Sequence, residues 1–345
     1  MNVRTVYWNR EGAVEMIDQT LLPAELKIIK CRTVEEVAEA IKSLRVRGAP
    51  AIGVAAAYGI ALCAHNFRGD DPEEMKRELI RCAEILRSTR PTAVNLFHAI
   101  DLTLREALSG ETVEEIRRKA LETAEFLANE DIRVNRLIGE IGQELLEDGD
   151  TVMTHCNAGR LATVDWGTAL GVIRSAVEHG KEIRVIATET RPLNQGSRLT
   201  AWELLEDGIE VTLITDSMSG YVMRKGLVDK IIVGADRIVR DAVFNKIGTY
   251  SHAVIARHHG IPFYVAAPSS TFDLGKEEKD VIIEERAREE LIFCGEKQIA
   301  PLEVDVLNPA FDATPLELIT AIICEKGIIS PVTEERMREI LLRED

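Results

Sequence analysis

Thr151-Val152-Met153-Thr154-His155-Cys156-Asn157-Ala158-Gly159 is the stretch on which the fold reading turns. An apolar run of strand length passes into a thiol and then into a turn of small residues. The same form recurs in runs rich in Val and Ile at Ile183 to Thr188, Val211 to Thr215, Ile231 to Ala235 and Phe263 to Ala267. Short, continuous apolar runs suit parallel strands covered on both faces. Segments of helical length and pattern lie between them, including Thr163 to Glu178, Leu199 to Glu206 and Thr249 to His259, long enough to serve as crossovers. Residues 129–345 are therefore expected to form a Rossmann-like α/β domain built on a parallel sheet.

In such sheets ligands gather beyond the carboxyl ends of the strands, where crossover loops and helix amino termini converge. The five runs end in His155-Cys156-Asn157, Glu189-Thr190-Arg191, Asp216-Ser217, Asp236-Arg237 and Pro268-Ser269-Ser270. One rim thus collects a thiol, three acids, two arginines and several hydroxyls. No GxGxxG follows the first strand and no GxxxxGK[ST] occurs, so the dinucleotide and P-loop readings lose their main support.

Toward the amino terminus the character changes. Val3 to Trp8, Ala13 to Ile17 and Leu26 to Cys31 fit a small antiparallel sheet. Thr33-Val34-Glu35-Glu36 has capping-box spacing, in which the Thr hydroxyl and Glu carboxylate satisfy free backbone amides, so a helix should begin there. Helices are expected over Val34 to Leu44, Ala51 to His65, Pro72 to Ser88 and Ala93 to Leu108, and a second capping box at Thr112 to Glu115 opens one reaching beyond Leu127. Residues 1–128 read as a mostly helical N-terminal domain with a small antiparallel sheet.

The 345 residues include 42 Lys and Arg against 58 Asp and Glu, a formal charge of −16. Such acidity opposes attraction to phosphate backbones, so no nucleic-acid partner is expected. Six cysteines are scattered without CxxC or zinc-type spacing and read as reduced thiols of a cytoplasmic protein. The first residues lack a secretory pattern, and charged residues are expected to interrupt every segment approaching membrane-spanning length. Seven histidines form no HExxH pattern, so no metal site is expected.

Several short motifs combine residue types suited to an anionic ligand. Arg47-Gly48-Ala49-Pro50 precedes an apolar helical stretch and reads either as a phosphate cradle at a helix amino terminus or as a tight interhelical turn. Arg90-Pro91-Thr92 starts another helix with a cation. Cys156 is either an activated thiol at a helix amino terminus or a space-filling residue. An apolar strand carries Asp236 to the rim, where desolvation would suit it to acid or base work, unless it merely caps a turn; Asp216 has the same ambiguity. Gln195 is placed to bond a substrate hydroxyl, and Asn245-Lys246-Ile247-Gly248-Thr249 suits phosphate binding or an ordinary cap.

Taken together, these motifs, with Gln195-Gly196-Ser197-Arg198-Leu199-Thr200-Ala201-Trp202-Glu203-Leu204 and Gly234-Ala235-Asp236-Arg237, resemble the methylthioribose-1-phosphate isomerases of methionine salvage. That family lies within the superfamily of the alpha, beta and delta subunits of eukaryotic initiation factor 2B. The resemblance covers nearly the whole chain. It implies isomerisation of 5-methylthioribose 1-phosphate to 5-methylthioribulose 1-phosphate without a cofactor, in a homodimer. It assigns Cys156 and Asp236 to catalysis, and Arg47, Gly48, Ala49, Arg90, Gln195, Asn245 and Lys246 to substrate binding. A non-catalytic subunit like those of initiation factor 2B and a ribose-1,5-bisphosphate isomerase are the rival readings.

Overall fold

The computed structural model describes residues 3–90 and 93–343. Its contacts divide the chain into two compact units: Met1–Arg136 with Gly159–Gly167, and Leu137–Ala158 with Thr168–Asp345.

The first unit opens with strands β1 (Val6–Trp8), β2 (Val14–Ile17) and β3 (Ile28–Cys31), paired antiparallel in that order. Helices α1 (Val34–Lys42), α2 (Ala49–Asn66), α3 (Pro72–Arg87), α4 (Val94–Leu108) and α5 (Val113–Gly142) follow. Thr33 and Glu36 close the expected capping box on α1, and Thr112 accepts from the Glu115 amide at the start of α5. Helix α5 runs through the 128/129 boundary read from the sequence.

Helix α2 is the heart of this unit. Its residues from Ala51 to Ala64 are all buried, as a helix apolar on every side must be. It contains no Asp, Glu, Lys or Arg and is long and apolar enough to cross a membrane, so the expectation that charge interrupts every such segment does not hold. The apolar surface is instead spent on α1, α3 and α4, which share one core with it. A second correction concerns the thiols. Cys63 on α2 and Cys82 on α3 form a disulfide, although the sequence read all six cysteines as reduced. Their sequence separation is 19, and only the packing of two neighbouring helices brings them together. Glu78 lies beside the pair in a cluster of metal-ligand type, but the two sulfurs are joined to each other and Arg81 engages both Glu78 oxygens.

The second unit is wound around a sheet. In chain order come β4 (Thr151–Thr154), α6 (Ala169–Glu178), β5 (Arg184–Thr188), α7 (Ala201–Glu206), β6 (Val211–Ile214), α8 (Ser219–Arg224), β7 (Lys230–Val233), β8 (Arg237–Ile238), β9 (Ala242–Lys246), α9 (Thr249–His259) and β10 (Phe263–Ala266). Then follow α10 (Glu289–Ile292), β11 (Phe293–Cys294), β12 (Lys297–Gln298), β13 (Phe311–Pro315), β14 (Ala321–Cys324), β15 (Gly327–Ile329) and α11 (Glu334–Leu341). Among the described residues, seven strands form the main sheet in the order β15-β14-β10-β7-β4-β5-β6. All pair in parallel except β15, which is antiparallel to β14. The five apolar runs are its centre and one flank. Three strands add a small antiparallel sheet, β13-β9-β8, and β11 pairs with β12.

One crossover differs from its expected span. The helix read from Thr163 begins only at Ala169, because residues 160–162 form a short 3₁₀ turn and the segment 159–167 belongs to the first unit.

Candidate functional site

Strands β4 and β7 are neighbours, with Val152 opposite Lys230 and Met153 opposite Ile231. Carried three residues on, this register sets Cys156 level with Gly234, so the turns bearing Cys156 and Asp236 leave the same sheet edge side by side. The close approach explains a glycine: a Cβ on Gly234 would sit 2.7 Å from the Ala158 methyl. Cys156 is a free, half-buried thiol. Asp236 is exposed, with its amide donating to the Phe244 carbonyl at 2.9 Å. The apolar strand ends at Val233, three residues short of Asp236, so the desolvation expected from the sequence is absent at this carboxyl.

No helix begins directly after Cys156, contrary to the sequence expectation; the Leu170 amide in the first turn of α6 instead donates to the Ala158 carbonyl at 3.2 Å. What the turn has instead is a backbone held at φ 64°, a left-handed conformation costing a residue with a side chain about 1 kcal/mol. The Cys156 amide donates to Thr190 Oγ1 at 2.9 Å, and Thr200 Oγ1 donates to the Cys156 carbonyl at 2.6 Å. Thr190 is itself tied by its amide to Asp216 Oδ1 at 2.8 Å, and the Arg191 amide reaches Asp216 Oδ2 at 2.7 Å. Asp216 therefore braces the loop after β5.

Beneath the turn lies a buried polar network. Asn157 donates to Thr200 Oγ1 and Glu203 Oε1, and Arg174 donates at 2.6 Å to both Glu203 Oε2 and Asp207 Oδ2. Beside it, His155 Nε2 lies 2.9 Å from the Ile247 carbonyl. A carbonyl only accepts, so Nε2 carries the proton and Nδ1 accepts from Thr188 Oγ1 at 2.6 Å, with His252 Nε2 3.2 Å from the same atom. Burial pushes His155 down to about 4. Burial, then repulsion from His155, pushes His252 down to about 3. Both rings are neutral near pH 7.

The same unit contributes three of the expected binding residues. Gln195 is buried at the start of the turn leading to α7, and its Oε1 meets no donor among the described residues. Buried acceptors left unmatched are rare and costly. Asn245 and Lys246 are both buried on β9. Asn245 Nδ2 is 3.0 Å from Thr249 Oγ1. Lys246 Nζ donates to the Ala310 carbonyl at 2.9 Å and lies 4.8 Å from the Phe311 ring centre. Asp312, next to Phe311 on β13, is spent on the Gly248 and Tyr250 amides, and burial pushes it up to about 6.

The remaining expected residues belong to the first unit. Arg47 and Gly48 form the turn into α2, and Ala49 is the first residue of that helix; no side chain caps it. Gly48 is required by the chain itself, at φ 92° with the Ala162 backbone where a Cβ would project. The turn and cradle readings are thus compatible. Arg90 is half-buried ahead of α4; its motif partners Pro91 and Thr92 lie outside the described residues. Thr190, Thr200 and His155 lie within motifs but have no local signal of their own, and His252 has none beyond its helix.

Residues 45–331 match the Initiation factor 2 subunit family. A protein of Archaeoglobus fulgidus, 65% identical over 98% of this chain and 99% of its own length, is named, provisionally, methylthioribose-1-phosphate isomerase. The crystal structure of 5-methylthioribose 1-phosphate isomerase from Pyrococcus horikoshii OT3 is 47% identical with a TM-score of 0.93, covering 98% of this chain and 95% of that one. A further crystal structure from A. fulgidus, 65% identical with a TM-score of 0.92 and 99% of both chains covered, is described as subunit delta of translation initiation factor eIF-2B. Two functional names thus attach to equally similar relatives. The chain belongs to the Initiation factor 2 subunit family and, within it, to the methylthioribose-1-phosphate isomerases.

Proposed function

We propose that this chain converts 5-methylthioribose 1-phosphate to 5-methylthioribulose 1-phosphate. The observation that carries the reading is the emergence of Cys156 and Asp236 from neighbouring parallel strands at one sheet edge. The names of its full-length relatives support it, as do the unmatched Gln195 Oε1 and the buried Lys246 ammonium.

Phosphate on C1 blocks the aldehyde route open to free aldoses, so the ring must open first. In its protonated form Asp236 donates to the ring oxygen as its bond to C1 breaks, and the carboxylate so formed then receives the proton of the C2 hydroxyl. One hydrogen passes from C2 to C1, leaving a ketone at C2 and a phosphorylated CH₂ at C1. If it passes as hydride, no solvent proton enters C1 and Cys156 shapes and shields the reacting carbons; if Cys156 thiolate removes it as a proton, an enol forms at C2 with the C1 oxygen still phosphorylated, and C1 is then protonated as the C2 hydroxyl gives up its proton. Reaction in D₂O separates the routes by deuterium at C1. Within the second unit Lys246 binds phosphate while Gln195 and Asn245 orient hydroxyls; the resemblance assigns Arg47, Gly48, Ala49 and Arg90 of the first unit to substrate binding.

The test is an NMR time course with 5-methylthioribose 1-phosphate beside a Cys156→Ser control. Ketose formation by the native chain alone supports the reading, and inertness refutes it. The eIF-2B description of one 65% identical relative favours a second reading, a non-catalytic regulatory subunit; co-purification with initiation factor 2 and absence of turnover would establish that one. A cytoplasmic homodimer goes with the isomerase reading and is checked by sedimentation and cell fractionation.

A further inference from the structure

We propose that Thr190 and Thr200 are the positioning residues of the site, a two-hydroxyl clamp that holds Cys156 in its left-handed conformation and so sets the direction of its Sγ. The proposal rests on the reading of Cys156 as a reacting group. Both hydroxyls engage the backbone of that one residue from opposite sides. The Cys156 N–H donates to Thr190 Oγ1 at 2.9 Å, and the Cys156 carbonyl accepts from Thr200 Oγ1 at 2.6 Å. Both threonines are fully buried, at 0% exposure, so neither hydroxyl can meet a substrate. Their influence on chemistry must pass through Cys156.

The clamp is anchored on each side. Thr190 stands at φ 64°, and its amide is held by Asp216. Thr200 Oγ1 spends its proton on Cys156 and takes one from Asn157 Nδ2, whose other partner is Glu203. A non-glycine residue stays left-handed only where its surroundings over-determine it. Without either hydroxyl, Cys156 would relax toward negative φ, and rotation about that bond swings Cβ and Sγ together. Misplacing a reacting group by about 1 Å typically costs about a hundredfold in rate.

Val matches Thr in shape and removes only the hydroxyl, whereas Ser keeps the hydroxyl and loses a methyl. Thr190→Val and Thr200→Val, each beside its Ser counterpart, are assayed for kcat and KM with 5-methylthioribose 1-phosphate. In parallel, the rate of Cys156 alkylation by iodoacetamide is followed by peptide mass spectrometry in a Cys294→Ser background, since Cys294 is the exposed thiol among the free cysteines. The Val variants are expected to lose about ten- to a hundredfold in kcat with KM within about threefold of native, and to alkylate at a rate changed at least about fivefold. The Ser variants should stay near native in both. Native kcat and alkylation in a folded Val variant, or a Ser variant as impaired as Val, would overturn the clamp. If the native chain turns over no substrate, the isomerase reading fails, yet the alkylation rates still decide whether the two hydroxyls control the thiol.

Discussion

The two units bury different things. In the first, the core is a helix of small apolar residues wrapped by other helices, and few polar side chains, among them Asp18, Gln19 and Thr103, lie inside. In the second, a parallel sheet carries His155, Asn157, Thr188, Thr190, Thr200, Glu203 and Arg174 into the interior directly behind one turn. An apolar interior tolerates substitution of similar volume. A connected polar interior is over-determined, because each group left without a partner costs its full desolvation. The first unit is thus built for stability and the second for holding one backbone in an unfavourable geometry.

The largest effect should separate activity from stability at the exposed rim. Asp236→Asn is expected to reduce kcat by about 10³-fold, near the middle of the range for general acid–base groups, with an unchanged melting temperature because Asp236 is exposed. Unimpaired turnover would remove it from the mechanism. Next, Glu203→Gln takes one carboxylate from buried Arg174 and should cost about 3 kcal/mol in urea unfolding. A loss below about 1 kcal/mol would mean that Asp207 alone satisfies the guanidinium, and the contrast between the interiors would weaken.

In the first unit the comparable lever is covalent. Reducing Cys63–Cys82, or replacing Cys63 by Ser, opens a loop of 19 residues and should cost about 3 kcal/mol, with kcat retained in the folded protein. A melting curve indifferent to reductant would show that helix packing alone holds α2 to α3. The smallest effect sharpens the comparison by pH. His252 has a folded pKa below its unfolded value, so the unfolded chain binds the proton first and the histidine's contribution is lost as pH falls below about 6.5. His252→Asn lacks that term. The stability gap between native and variant should therefore narrow by about 2 kcal/mol from pH 7 to pH 5; a gap constant with pH would mean that the ring is already charged in the fold.

Much of this was legible beforehand because it is local. Apolar runs of five or six residues marked β4, β5, β6, β7 and β10, and Thr33 with Glu36 marked the start of α1. The strands missed were those with weak runs or late positions: β8 and β9 form a hairpin around residues 239–241, and β14 and β15 extend the main sheet from its far side. The site residues were recognised by type and by strand end, but their surroundings were not. Asp236 was expected to be desolvated, and the strand stops too early to cover it.

By itself, then, the sequence determined which segments are strands or helices, which residues terminate the strands and what family the chain resembles, since periodicity, caps and motifs are properties of neighbours along the chain. Tertiary structure alone decided that β7 lies beside β4, that Cys63 meets Cys82, and that the hydroxyls of Thr190 and Thr200, 34 and 44 residues further on, close on the backbone of Cys156. Those pairings depend on sheet order and helix packing, where the free energy belongs to surfaces brought together from distant parts of the chain and no local pattern records it.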